Sequence, residues 1–257
     1  VIEMREGLKP DRYDLRSPPP APLVPRDLRF GVKERLRANG EVLIPLDAKS
    51  LDDAISSIRQ SGANSVAVCF LHSYLNPVHE LAAVERLTQA LPGVSISRSG
   101  DVLPQIKEYE RVSTTIVNAY VEPIVRRYLT NLEARLAEAG FKGSLFVVLS
   151  HGGMAPVGEA SRLAAGTVLS GPAGGMSGGR RCADLVGIPD LVPFDMGGTS
   201  TDISLISGGQ ASLSADGMLA GQRIALRSLD IASIAAGGGS IASVDASRTL
   251  RVGPESA

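Results

Sequence analysis

The stretch Pro193-Phe194-Asp195-Met196-Gly197-Gly198-Thr199-Ser200-Thr201-Asp202-Ile203-Ser204-Leu205-Ile206 constrains the fold more than any other part of this 257-residue chain. The apolar run from Ile188 to Phe194, interrupted by Pro189, Asp190 and Pro193, reads as a short buried strand ending at Asp195. Gly197 and Gly198 turn the chain, Thr199, Ser200 and Thr201 follow, and Asp202 opens an alternating run to Ile206. The pattern is strand, tight turn, strand. Glycines let the backbone approach a ligand closely, and consecutive free N–H groups form a concave anion site. Asp195 and Asp202 flank the turn and suit a hard divalent cation, held partly through water beside bound phosphate. A plain β-hairpin with a polar turn uses the same residues, and by themselves they leave both readings open.

Other phosphate loops fit less well. No G-x-x-x-x-G-K-[ST] occurs, which argues against a P-loop nucleotidase. Gly237-Gly238-Gly239-Ser240-Ile241-Ala242 matches G-x-G-x-x-A in letters. Alternating strand residues (Ile241, Val244, Leu250, Val252) follow it, where the dinucleotide fingerprint needs a helix.

The phrase Phe194 to Asp202 resembles the signature of the hydantoinase A/5-oxoprolinase family. Three further phrases are similar to family motifs and stand in the same order: Glu108-Tyr109-Glu110-Arg111-Val112-Ser113-Thr114-Thr115, continued by Asn118 to Val121; Leu169-Ser170-Gly171-Pro172-Ala173-Gly174-Gly175; and Ala236 to Ala242. The resemblance implies an α/β fold of the actin-like ATPase (ribonuclease H-like) type, two related domains around a nucleotide cleft, incomplete in this chain. Residues 1–105 would be the C-terminal part of the family's N-terminal domain, and 106–257 the first part of the hydantoinase A domain. It implies an internal fragment with one of the family's two phosphate loops.

The implied activity is that of an ATP-dependent hydrolase subunit opening a cyclic amide of the hydantoin or 5-oxoproline type, by carbonyl phosphorylation and hydrolysis. An ATP-dependent ketone carboxylase subunit and a non-catalytic nucleotide-binding subunit are the alternatives. The implied cofactors are ATP and Mg2+. Gly197, Gly198, Thr199, Ser200 and Thr201 would meet the phosphates, with Gly237, Gly238 and Gly239 approaching the nucleotide. Asp195 and Asp202 would hold Mg2+ or orient the attacking nucleophile. The partner would be a hydantoinase B-type subunit or fused domain. The small residues from Ser170 to Gly179 would form the close-packed helix that precedes the second phosphate loop in that fold group.

Composition sets broad limits. With 44% apolar and 21% charged residues the chain is ordinary globular material, and a net charge of −1 gives no electrostatic footprint for nucleic acid or an anionic membrane. No apolar run approaches the roughly 18 residues of a membrane span, and no signal peptide is present, so a cytoplasmic protein is expected. Cys69 and Cys182 read as buried structural thiols.

Along the chain, residues 1–16 are amphipathic and Ser17 to Pro22 is an extended surface connector. Asn39-Gly40 turns a hairpin between Phe30/Val32 and Val42/Ile44. A helix over Leu51 to Gln60 places Leu51, Ala54, Ile55 and Ile58 on one stripe. Val66 to Leu71 reads as a buried strand, Asn76-Pro77 as the start of a helix, and Val94 to Ile96 as a strand in parallel pairing. His72, His79 and Glu80 invite a metal site, but His79 and Glu80, adjacent on a helix, diverge and fit a capping and surface role. Ile106 to Gly140 is helical with a new helix starting at Pro123, and Glu108, Glu110 and Arg111 fit a solvated or paired surface, with a substrate site as the alternative. Leu145 to Leu149 reads as a buried strand ending at a Gly-rich turn that holds His151, a structural or general-base residue. Gly208-Gly209 turns a second hairpin.

Overall fold

Asn39-Gly40 does turn a hairpin: Gly40 takes φ 86°, and β1 (Arg35–Leu36) pairs antiparallel with β2 (Val42–Ile44). The first strand lies later than expected, because Phe30 and Val32 pack against the first helix instead of pairing. The computed structural model describes residues 2, 13–16, 21–214, 217–219 and 222–257. The expected amphipathic opening and proline connector fall mostly outside these described residues.

Asp47 caps α1 (Ala48–Ser61) by accepting the Ser50 N–H, and Gly62 ends it at φ 69°. Between these stops the stripe Leu51, Ala54, Ile55 and Ile58 is buried, as its spacing requires. Next come β3 (Ser65–Val68), α2 (Val78–Ala90), β4 (Ser95–Arg98), the single turn α3 (Ser99–Val102) and α4 (Glu108–Glu138). Then follow β5 (Phe146–Val148), β6 (Met154–Pro156), α5 (Val157–Arg162) and α6 (Ser170–Val186). The remainder is strand: β7 (Phe194–Met196), β8 (Thr201–Ser204), β9 (Ile206–Ser207), β10 (Gln210–Ala211), β11 (Leu213–Ser214), β12 (Gly217–Leu219), β13 (Gln222–Ile224), β14 (Ser228–Leu229), β15 (Ile231–Ile234), β16 (Ser240–Val244) and β17 (Leu250–Ser256).

The chain divides into two compact units. The first comprises Val1–Gly143, Ser161–Ala165 and Asp216–Leu226. There β3 and β4 run parallel, Val66 opposite Ile96, with α2 as the crossover. Leu51, Ile55 and Ile58 of α1 pack with Val68, Ala83 and Leu87 into a shared core. Burial of each large aliphatic side chain contributes about 1.5–3 kcal/mol. α4 packs on β3, β4 and β13.

That face of α4 is polar where a core face would be apolar. Asn118 donates to Ser97 Oγ and Arg162 O and accepts from the Ala165 N–H, each at 3.0 Å. Thr114 Oγ1 accepts the Ala225 N–H at 3.0 Å, and Ser113 donates to Arg223 O. Arg111, expected on a solvated face, is 1% exposed, and Glu110 is also buried. A helix that carries such a network stays whole across Pro123: α4 is one helix, not two, although proline removes a backbone bond there.

The second unit comprises Ser144–Ala160, Gly166–Ala215 and Arg227–Ala257. Its centre is a three-stranded antiparallel sheet in the order β15-β8-β7. α6 lays Ala173 and Met176 against Leu229, with Ile231 of β15 packed beside them. The glycines from Gly171 to Gly179 lie inside α6, which therefore is the expected small-residue helix. Gly208-Gly209 turns β9 into β10 as expected. Two expectations fail. β5 pairs antiparallel with β6 and is only partly buried, and β7 is exposed along its length. No helix among the described residues is long and apolar enough to cross a membrane.

Candidate functional site

β7 and β8 pair in the register Phe194↔Ile203, Asp195↔Asp202 and Met196↔Thr201. Alternation along each strand therefore sets the Asp195 and Asp202 side chains on one face, directly opposite each other. Opposed pairs have Cβ atoms about 4.5–5.5 Å apart, and like charges in that position repel. Among the described residues neither aspartate makes a salt bridge that would offset the repulsion. β15 extends the row, since Ser233 lies opposite Asp202 and its hydroxyl donates to Asp202 Oδ1.

Ile231, two residues before Ser233, shares this face and packs against α6. α6 thus covers the aspartate side of the sheet. A Cβ at Gly175 would stand 3.2 Å from Asp195 Oδ2, so the helix comes this near because position 175 has no side chain.

The turn between the strands is exposed. Gly197 N–H donates to Ser200 O at 2.9 Å. The amides of Gly198, Thr199 and Ser200 donate to no other group among the described residues. Successive unbonded amides at a turn make it a candidate anion nest.

A second loop supports the first from behind. Gly238 N–H donates to Gly197 O at 2.9 Å and Gly239 N–H to Gly198 O at 2.6 Å. Thr201 is fully buried and its hydroxyl donates to Ala236 O at 2.5 Å. A Cβ at Gly237 would fall 2.7 Å from Gly197 O, Gly198 C and Ser200 N, too near for any side chain. The expected phosphate contacts thus separate into two sets. The amides of Gly198, Thr199 and Ser200 make no hydrogen bond among the described residues, whereas the amides of Gly238 and Gly239 and the hydroxyl of Thr201 are already bonded within the loop pair.

Asp195 and Asp202 beside this nest fit the oxygen donor set of Mg2+, which keeps most of its waters and takes one or two carboxylates plus phosphate. Among the described residues there is no group of three or more His, Cys, Asp or Glu side chains that could hold a metal ion. Gly175 and Ser233 were not legible as site residues. Ser233 alternates correctly within β15, but the pairing of β15 with β8 spans a long sequence separation that no local pattern reveals.

The remaining candidates lie elsewhere. His151 is exposed, and its Nδ1 accepts the Gly153 N–H at 3.1 Å, which closes the turn. His79 and Glu80 are buried, not on the surface. His79 Nδ1 lies 2.7 Å from Glu34 Oε2. Glu80 accepts from Phe70 N–H at 2.9 Å, Ser99 Oγ at 2.5 Å and Gly100 N–H at 3.0 Å. Desolvation, reinforced by the Glu80 charge, pushes the Cys69 thiol up to about 12, so it stays protonated and unreactive at neutral pH. Cys182, expected to be buried, is exposed on α6.

The sequence profile of the hydantoinase/oxoprolinase family matches residues 111–257, and that of the family's N-terminal region matches residues 1–91. The chain belongs to this family. It is 39% identical to caprolactamase subunit alpha of Pseudomonas jessenii over 258 residues, which cover 100% of this chain and 37% of that protein. With the 5-oxoprolinase of Saccharomyces cerevisiae it shares 37% identity over 212 residues, 82% of this chain and 16% of the yeast protein. The crystal structure of ATP-dependent caprolactamase from P. jessenii superposes with a TM-score of 0.81 at 37% identity, covering 100% of this chain and 37% of that one. Nucleotide-free acetone carboxylase superposes at 0.77 with 31% identity, covering 93% and 34%. The mixed α/β fold of actin-like ATPase type is therefore that of the chain, which spans roughly a third of these larger proteins.

Proposed function

We propose that this chain carries a phosphate-binding hairpin of an enzyme that opens cyclic amides at the expense of ATP. The observation that carries this reading is the register Asp195↔Asp202, two opposed carboxylates flanking three free amides. Such an arrangement is unfavourable unless a cation lies near the carboxylates, and a nest attracts the phosphate that accompanies it. Its relatives are named caprolactamase and 5-oxoprolinase.

A ring amide is a poor electrophile, and ATP with Mg2+ supplies the phosphoryl group that activates its carbonyl oxygen. The amides of Gly198, Thr199 and Ser200 would donate to phosphate oxygens, and the Thr199 and Ser200 hydroxyls would assist. Asp195 and Asp202 would hold the cation, and Ser233 fixes the carboxylate of Asp202. The Gly237–Gly239 loop keeps the turn rigid, so donors are oriented before charge develops on the transferring group. Relatives named as subunits support a partner subunit, which on this reading is of the hydantoinase B type or a fused equivalent, in the cytoplasm.

Ketone carboxylation is the second reading, favoured by the superposition on acetone carboxylase. Assay of the full-length protein with its partner separates the two: ring-opened product without bicarbonate supports amide hydrolysis, and a strict bicarbonate requirement supports carboxylation. ATP binding without turnover of either substrate class would make this a nucleotide-sensing subunit. Gly198→Val tests the site itself, because the side chain fills the phosphate's place. Mg-ATP should raise the melting temperature of the wild type and not of this variant. An equal rise in both would sink the assignment.

A further inference from the structure

The carboxyl end of β3 holds a second concentration of unusual groups, in the first unit. His72 has φ 59°, the left-handed region that costs a residue with a Cβ about 1–2 kcal/mol. Its carbonyl accepts the N–H groups of Leu75 and Asn76, at 3.0 and 3.2 Å, so the backbone is held there. Glycine or asparagine would occupy this conformation with less strain. The imidazole Nδ1 is nevertheless buried and has no hydrogen-bond partner.

Arg111 is in a comparable state. It is 1% exposed and gives Nη2 to Phe70 O at 2.8 Å and Nη1 to Ser73 Oγ at 3.2 Å, while its Nε has no partner. Glu80 balances the guanidinium through two hydroxyls: Ser73 Oγ lies 3.2 Å from Ser99 Oγ, which donates to Glu80. The ring of Tyr74 lies beside both groups, 5.6 Å from Arg111 Cζ and 6.1 Å from the His72 ring. At the end of the neighbouring strand β4, Arg98 Nη1 is likewise buried and unpartnered. Each buried donor left unmet costs about 1–3 kcal/mol, and strain of this kind gathers at functional sites.

Ligands of open α/β sheets collect at the carboxyl ends of parallel strands, and β3 with β4 is such a pair. We propose that the loop from Cys69 to Tyr74 recognises a small anionic group, a carboxylate or a phosphate, through the imidazole of His72 and the guanidinium of Arg111. The imidazole explains why position 72 keeps a histidine in a conformation better suited to glycine. Its Nδ1–H tautomer and Arg111 Nε–H are both unmet donors on residues that adjoin the Tyr74 ring, the two contacts an acceptor-rich anion would satisfy. The inference is independent of the nucleotide reading of the β7–β8 turn.

The test uses the full-length protein carrying Gly198→Val, so that the β7–β8 turn takes up no phosphate. Melting temperature is followed while sodium acetate or inorganic phosphate is titrated against chloride at equal ionic strength. A saturable rise with acetate alone assigns a carboxylate ligand, and one with phosphate alone a phosphate ligand. His72→Gly should weaken the response about tenfold or more, the loss of one charge-assisted hydrogen bond, without lowering the melting temperature of the anion-free protein. His72→Asn tolerates the same backbone and keeps a donor, so its affinity should fall between the two. No saturable response to either anion, or wild-type affinity in both variants, overturns the proposal.

Discussion

Two charged sites in this chain follow strands and treat charge in opposite ways. At the end of β3, Glu80 and Arg111 are fully buried and joined by the hydroxyls of Ser73 and Ser99. At the β7–β8 turn, Asp195 and Asp202 face each other with no cation beside them among the described residues. Burial forces partners on the first site, because an isolated charge in a poorly polarisable interior costs several kcal/mol. At the second, Asp195 is exposed and Asp202 half-buried, and two like charges stand in register at a cost of about a kcal/mol or less. The first network therefore sustains the fold while leaving a few donors over. The second is expected to contribute little to stability and is the one proposed to take a ligand.

The contrast is broken most strongly at Glu80. Glu80→Ala leaves Arg111 buried without its balancing charge and should destabilise the full-length protein by about 3–5 kcal/mol, read by urea unfolding. A loss comparable to that of a surface substitution would mean that the network is not what holds α4 to β3 and β4. Next in size, Gly237→Ala forces a Cβ onto the backbone of the β7–β8 turn. Overpacking of this kind costs about 1–3 kcal/mol, and nucleotide affinity should fall with it. Unchanged melting temperature and affinity would show that the second loop does not support the first.

Asp195→Asn sharpens the comparison from the other side. Removing one of two opposed charges should leave stability unchanged or raise it by about 0.2–1 kcal/mol, although the residue is proposed to be essential for turnover. Destabilisation beyond that range would place Asp195 in the structural class with Glu80. The smallest effect belongs to Asp190, whose carboxyl is held below the usual carboxylate range by the Gly208 N–H and, next, by the Ser207 hydroxyl. A depressed folded-state pKa contributes stability that is present above the unfolded value and lost as pH falls through the folded one. The protection factor of the Gly208 N–H, relative to its intrinsic exchange rate, should fall on acidification in the wild type, and that fall should be absent in Asp190→Asn.

Local pattern carried much of this structure. The stripe of α1, the Asn39-Gly40 turn, the parallel pairing of β3 with β4 and the strand–turn–strand around Asp195 follow from periodicity and turn chemistry within a few residues. What pattern could not supply is which polar residues find partners far away in sequence. Glu80 and Arg111 look like surface charges until Ser73 and Ser99 are brought between them. Pro123 looks like a helix start until the partners of Asn118 show how firmly α4 is fixed. At the candidate site, the pairing of Asp195 with Asp202 across the glycine turn was legible from spacing. Ser233 and Gly175 were not, since each arrives from an element whose packing is decided by tertiary structure.

The central claim is that Asp195 and Asp202 act together on a cation and phosphate bound at the turn. Phosphate release by the full-length protein with its partner subunit, measured against Mg2+ concentration, tests it most directly. Asp195→Ala and Asp202→Ala should each lower turnover by about a hundredfold or more and raise the Mg2+ requirement, with unfolding curves matching the wild type. Wild-type turnover at wild-type Mg2+ in both variants would contradict the account.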